Sequence, residues 1–192
     1  MTTFYIARHG QTENNKEGRF SGWIDTPLTE NGIKDARSSA AKLKGIKFDK
    51  IISSDMGRAF VTAYIISRII NHKGEIELNK GLREVNYGDL ANMPYSMYPE
   101  LSPHENAIYV SPNGESLVQV QQRIIGCINT ISLENQSKTI LLVAHDGTIN
   151  AIRASFTDKN IGLVDAERLN KHDTVVKFVY DKGKIVTIKE VN

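Results

Sequence analysis

The chain has 192 residues, with 24 Lys or Arg against 22 Asp or Glu, a formal net charge of +2 and 40% hydrophobic content. That is ample for one domain with a sizeable core, and a charge balance this even gives no reason to expect nucleic-acid or membrane partners. One cysteine, Cys127, excludes an intramolecular disulfide framework and fits a reducing compartment; with no signal peptide visible and no apolar run near the ~20 residues that span a bilayer, the expected location is the cytoplasm.

No internal repeat, low-complexity tract or linker interrupts the chain, so residues 1–192 read as a single domain. Short apolar runs alternate with segments of helical period, the pattern of an α/β domain with a largely parallel sheet. The first run, Thr3 to Ala7, stops at Arg8-His9-Gly10. The segment from Thr29 to Leu43 places Ile33, Ala36, Ala40 and Leu43 on one helical face, with Thr29 as N-cap. A second strand, Lys50-Ile51-Ile52, stops at Ser53-Ser54-Asp55. From Asp55, read as the cap, a second helix runs to Ile70 with Met56, Ala59, Ala63, Ile66 and Ile70 as its stripe. A third helix runs from Glu115 to Leu133 on Leu117, Val120, Ile124, Ile128 and Ile131. The third strand, Thr139 to Ala144, stops at His145-Asp146-Gly147. Thr174 to Tyr180 and Lys184 to Val191, separated by Asp181-Lys182-Gly183, read as a hairpin near the sheet edge.

Residues 84–122 differ in kind. They contain no Lys or Arg, hold Tyr87, Tyr95, Tyr98, Tyr109, Met93 and Met97, and carry four of the five prolines. Such a stretch reads as a lid or insertion, spanning about 85–114, over a site.

Ligands of open α/β sheets bind at the carboxyl ends of the strands. The three runs deliver Arg8, His9 and Gly10, then Arg58 one turn into a helix, then His145 and Asp146, all to one edge. Two guanidinium forks match phosphate oxygens. One histidine can form a covalent N–P bond and a second can donate to the equatorial oxygens. The chemistry indicated is phosphoryl transfer through phosphohistidine. A metal site is the other reading of paired histidines, and the flanking arginines argue against it because they repel a cation. Gly10 is expected to let the backbone turn sharply beside the nucleophile.

The motifs then resemble a known family. Arg8-His9-Gly10-Gln11-Thr12-Glu13-Asn14-Asn15 is similar to the R-H-G-E-[ST]-x-x-N signature of the histidine phosphatase superfamily, branch one. The resemblance continues through Arg19-Phe20-Ser21-Gly22-Trp23-Ile24-Asp25, Ser53-Ser54-Asp55-Met56-Gly57-Arg58-Ala59, Leu82-Arg83-Glu84-Val85-Asn86-Tyr87-Gly88, Gly114-Glu115-Ser116 and His145, in order. It implies a three-layer α/β/α sandwich of the phosphoglycerate mutase-like type. It implies His9 as the phosphorylated nucleophile, Arg8, Arg58 and His145 as the phosphate pocket, and Asn15 as a further donor. It implies Glu84 as the acid that protonates the leaving oxygen, and Ser21 and Gly22 at a substrate-contact position.

Alternatives stay open at several residues. Glu84 can instead pair with Arg83 or Lys80 on the surface. Asp146 stands where the mutases and many phosphatases carry a small residue, whereas the sister branch uses a His-Asp pair with Asp as proton donor; Asp146 can equally cap the helix that begins at Gly147. His72 reads as a solvated helix end, His104 as an exposed lid residue, His172 as a turn residue before a strand, Cys127 as a buried small hydrophobe, and Trp23 as a substrate contact or a loop closure.

A mutase must hold a carboxylate and a second phosphate, and the lid offers no basic residue for either. The reading is therefore a metal-independent phosphatase of a small phosphate ester, with no cofactor. A cofactor-dependent phosphoglycerate mutase and a non-catalytic phosphate-binding regulatory module are the alternatives, and the oligomeric state is open.

Overall fold

A computed structural model describes residues 1–167 and 171–192. Six strands form one sheet in the order β3-β2-β4-β1-β5-β6, where β1 is Thr2–Arg8, β2 Lys50–Ser53, β3 Ile76–Leu78, β4 Thr139–Ala144, β5 Val175–Asp181 and β6 Lys184–Glu190. The first four run parallel; β5 lies antiparallel to β1 and closes the edge as a hairpin with β6. The mostly parallel α/β architecture expected from the alternating runs is what the chain adopts.

Successive strand residues point to opposite faces, and the helices divide accordingly. Phe4 and Ile6 of β1 join Ile140 and Leu142 of β4 under the helices α5 (Leu117–Glu134), α6 (Asp146–Thr157) and α7 (Ile161–Ala166). Tyr5 and Ala7 join Leu141, Val143 and Ile51 under α2 (Glu30–Lys42) and α3 (Gly57–Ile69). Two cores on either side of one sheet make the three-layer sandwich. Two short helices, α1 (Glu13–Lys16) and α4 (Pro103–Ile108), complete the described helices; α4 belongs to the lid, with two 3₁₀ turns at Gly88–Leu90 and Tyr95–Met97. Among the described residues no helix is long and apolar enough to cross a membrane.

Thr29 caps α2 as expected, its hydroxyl accepting from Gly32 N–H at 3.0 Å. The stripe of α5 is buried throughout. Three expectations need correction. Ile33 is 37% exposed, because α2 turns Gly32, Ala36 and Ala40 inward instead. Asp55 does not cap α3: the N-cap is Met56, without a side-chain bond, and Asp55 is held by Arg83 at 2.7 and 2.6 Å. The short strand β3 was not expected; it has three residues, two of them exposed, and pairs only with β2.

Candidate active site

Main-chain bonds past the strand ends stitch three loops together. His9 N–H donates to Ala144 O at 2.9 Å, and Ser54 N–H donates to Val143 O at 2.9 Å. The residues after β1, β2 and β4 therefore share one edge, as the parallel register requires. The glycine after His9 serves a close approach rather than a left-handed turn. A Cβ on Gly10 would lie 2.0 Å from the carbonyl oxygen of Gly32, so the turn holding His9 sits directly on the first turn of α2.

His9 is 3% exposed. Its Nδ1 lies 2.7 Å from Gly10 O. A carbonyl only accepts, so Nδ1 carries the hydrogen and Nε2 keeps its lone pair. Burial, then Arg58 and Arg8, hold the His9 pKa well below its usual range, so the imidazole is neutral near neutral pH. His145 is fully buried, with its ring centroid 5.1 Å from that of His9. Its Nε2 lies 2.9 Å from Ser54 Oγ, which itself accepts from Met56 N–H at 3.4 Å. Ser54 Oγ can give its own proton to Nε2, and in that tautomer His145 Nδ1 is an N–H donor. Burial and the neighbouring Arg58 lower its pKa as well.

Arg58 is buried and aimed from its helix by a loop. Its Nη2 donates to Gly22 O at 2.7 Å and its Nη1 to Ile24 O at 3.0 Å, with Asp25 Oδ1 at 3.3 Å. Asp25 also accepts from the N–H groups of Gly57 and Arg58, and so caps α3 from a distance. Gly22 therefore acts through its carbonyl on Arg58, and its left-handed φ of +54° suits glycine.

What is left unpaired defines the site. Arg8 Nε and Nη1, Arg58 Nε, His145 Nδ1 and Ser21 Oγ are all buried without a hydrogen-bond partner. A buried donor left unsatisfied costs about 1–3 kcal/mol. Four such nitrogens around one imidazole fit an anion with several acceptor oxygens. Asn15 lines the same cavity; its Oδ1 accepts from Thr12 N–H at 3.2 Å, which leaves its amide NH₂ to donate.

Glu84 is not the surface ion pair considered above, since Arg83 is taken by Asp55. Its Oε1 accepts from Val85 N–H at 2.9 Å and from Gly147 N–H at 3.2 Å, so Oε2 is the oxygen on which the acid form would hold its proton. Burial, reinforced by the nearby Asp146 charge, raises its pKa above the ordinary 4.5 against the lowering effect of that Val85 bond, Arg58 and Arg8. Asp146 makes no cap: His145 is the N-cap of α6 without a side-chain bond, and Asp146 lies in the first turn, its Oδ1 3.8 Å from Arg8 Nη1. The cap that was one of the two readings of Asp146 is supplied in part by Glu84.

One residue near the site escaped the sequence reading, and two that it named turn out to hold positions beside Glu84 and His9. Arg123 is the first base after the lid; its Nη1 donates to Gly81 O and Arg83 O at 3.0 and 2.9 Å, and its Nη2 to Glu84 O at 3.2 Å and to Glu115. Glu115 also accepts from Asn86 N–H at 2.9 Å, so the pair clamps the segment that carries Glu84. Its signal was the base at helical spacing after Gly114-Glu115-Ser116. Trp23 Nε1–H donates to Glu84 O at 3.0 Å under the Arg83 guanidinium, a loop closure rather than a cavity wall. His172 is no mere turn residue: its ring centroid lies 6.0 Å from that of His9 and its Nδ1 is 3.4 Å from His9 O. Nothing in Lys171-His172-Asp173 marks that proximity. His104 is exposed as expected, His72 is partly exposed at a helix end, and Cys127 is half-buried with its thiol pushed up to about 11 by burial.

The cavity has a volume of about 420 Å³. Arg8, His9, Asn15, Ser21, Gly22, Arg58, Glu84 and Asp146 line one end; Phe20, Tyr87, Tyr95 and Tyr98 are among the residues that line the rest, with the polar Asn106 and Asp165. Among the described residues no group of three His, Cys, Asp or Glu side chains could hold a metal ion.

A three-layer α/β protein with a histidine and arginine pocket at its parallel strand ends is the class that this architecture defines. The chain belongs to the histidine phosphatase superfamily (branch 1), whose sequence profile matches residues 4–192. It is similar to the uncharacterized phosphatase PhoE of Bacillus subtilis, 28% identical over 185 residues that cover 96% of this chain and 93% of that protein. Among solved structures it resembles YhfR of Bacillus stearothermophilus, with a TM-score of 0.86 at 29% identity over 96% of this chain and 94% of that one. It also resembles the phosphoglycerate mutase from Bacillus anthracis, with a TM-score of 0.85 at 27% identity over 99% of this chain and 92% of that one. Relatives bear both phosphatase and mutase names, so the choice between hydrolysis and transfer rests on this chain's own residues.

Proposed function

We propose that the protein is a metal-independent phosphatase that hydrolyses a small phosphate monoester through a phosphohistidine on His9. The observation that carries this reading is the set of buried nitrogens without a hydrogen-bond partner on Arg8, Arg58 and His145 around the neutral His9 ring. In the first step His9 Nε2 attacks phosphorus and the bond to the leaving oxygen breaks. Glu84 gives its Oε2 proton to that oxygen, because an alkoxide leaves poorly without one. Arg8, Arg58, His145 Nδ1–H and the Asn15 amide take up the charge on the equatorial oxygens. In the second step the Glu84 carboxylate accepts a proton from a water molecule as its oxygen attacks phosphorus. Inorganic phosphate departs and neutral His9 is restored.

Hydrolysis rather than transfer is supported by the lid. Residues 84–122 contain no Lys or Arg to hold a second phosphate or a carboxylate. Rapid quench with a labelled ester tests the first step: an acid-labile, alkali-stable phosphoenzyme is expected, absent in His9→Ala. His9→Ala retaining activity within tenfold of wild type would remove the assignment. With 3-phosphoglycerate and 2,3-bisphosphoglycerate, slow phosphate release and negligible isomerisation are expected. Mutase turnover of about 1–10³ per second would make the alternative correct.

A further inference from the structure

The chamber beyond the phosphate end is walled by rings, and those rings are fixed before any substrate arrives. Residues 18–22 are joined to the lid through main-chain bonds. Tyr95 N–H donates to Gly18 O at 2.8 Å, Phe20 N–H to Met93 O at 3.0 Å, and Asn92 N–H to Phe20 O at 2.7 Å. The Phe20 ring lies against three others, with centroids 4.5 Å from Tyr87, 4.8 Å from Tyr95 and 5.6 Å from Tyr98. Tyr98 is held in turn by its hydroxyl, which donates to Asn106 Oδ1 at 2.7 Å. All four rings line the cavity that holds His9, with Leu101 and Leu117 and with the polar Asn106 and Asp165. Tyr95 remains 46% exposed there.

We infer that this wall selects the leaving group, and that the preferred substrates are phosphate monoesters whose alcohol carries a planar apolar ring close to the ester oxygen. The inference deepens the phosphatase reading above, and rests on it for turnover but not for binding. Aromatic rings at these spacings attract a further ring in offset or edge-on contact, beyond the gain from area alone. A wall already ordered by hydrogen bonds loses little freedom on binding, so more of that contact appears as affinity. A short alcohol would occupy the phosphate end and leave the rings wet.

The test separates binding from turnover. Ethyl phosphate and 2-phenylethyl phosphate are both esters of primary alcohols, so they make the same demand on the proton donor and differ in the ring. The ring is expected to raise kcat/KM at least tenfold, equivalent to about 1.4 kcal/mol. Non-hydrolysable ethyl-, 2-phenylethyl- and 2-cyclohexylethylphosphonate are compared as inhibitors, where phenyl should bind at least tenfold tighter than ethyl and measurably tighter than cyclohexyl. Phe20→Leu and Tyr95→Leu should each shrink the phenyl-to-ethyl ratio to below threefold. Ratios near one in both assays overturn the inference, and so does a cyclohexyl analogue that binds as well as phenyl. If neither ester turns over while the phosphonates keep their order and the variants lose it, the ring wall stands and the phosphatase reading falls.

Discussion

Glu84→Gln is the substitution that tests the chemistry most directly, because the structure lets it remove a proton and little else. Glutamine can keep the two N–H bonds that Val85 and Gly147 make to Oε1 at 2.9 and 3.2 Å, while its NH₂ replaces the acid O–H. An alkyl ester needs that proton, so its hydrolysis should fall by ~10²–10⁴-fold, or roughly 3–5 kcal/mol in the barrier. p-Nitrophenyl phosphate has a leaving group stable as an anion and should lose far less. The pH profile gives a second readout. A Glu84 pKa raised above 4.5 keeps the acid form past the usual range, so alkyl-ester turnover declines as pH rises through that value. The decline should vanish in Glu84→Gln, whereas the acid limb, set by a His9 pKa held well below 6.5, should remain. Stability follows the same sign. A carboxyl with a raised folded-state pKa favours folding below the unfolded value and loses that contribution as pH rises through the folded one. The glutamine variant should therefore gain stability relative to wild type toward neutral pH, and the difference should fade below about pH 4.5. Steady-state kinetics on the two esters and urea melts across pH measure all three. Equal losses on both esters, or a surviving alkaline limb, would refute the reasoning; a selective alkyl-ester loss in Asp146→Asn instead would move the acid to Asp146.

Other outcomes follow from neighbouring contacts. Arg123→Lys cannot span the carbonyls of Gly81, Arg83 and Glu84 together; it should cost roughly tenfold on alkyl esters and little on aryl esters, and the loss should disappear in a Glu84→Gln background if Arg123 acts through Glu84. Gly10→Ala places a Cβ 2.0 Å from Gly32 O; a loss of about 1–3 kcal/mol or more in chemical denaturation is expected, with activity falling further than stability explains. Activity should survive EDTA without recovery by added divalent ions, since Arg8 and Arg58 supply the positive charge that a metal would bring; a metal-restored rate contradicts this.

The strands and their chemical ends were legible because parallel strands buried on both faces must be apolar throughout and stop abruptly at polar residues. Thr139 to Ala144 coincides with β4, and the hairpin after Thr174 lies at the edge. Caps were half legible. Thr29 caps its own helix, a local event, while α3 is capped by Asp25 from 32 residues away, which no local pattern reveals. The same limit hid His172, brought beside His9 by the Arg8 N–H bond to Thr174 O at 3.1 Å, and Arg123, whose partners besides Glu115 are carbonyls that carry no residue identity. The His9 tautomer was equally out of reach, since it follows from the carbonyl acceptor on Gly10.

The contact between the His9 turn and α2 also bears on how such a site can change over evolutionary time. A Cβ on Gly10 meets Gly32 O at 2.0 Å, and a Cβ on Gly32 meets Gln11 O at 2.1 Å. Both obstacles are main chain, and no amino-acid exchange removes a carbonyl. A substitution at either glycine thus has no second-site rescue among side chains; relief requires one backbone to slide past the other, and the backbone that would slide is the one presenting His9. Walls such as the ring cluster can be rebuilt residue by residue around new substrates. The seat of His9 cannot drift in the same way, so lineages descending from this architecture are free to rebuild the cavity wall while inheriting the His9 turn unaltered.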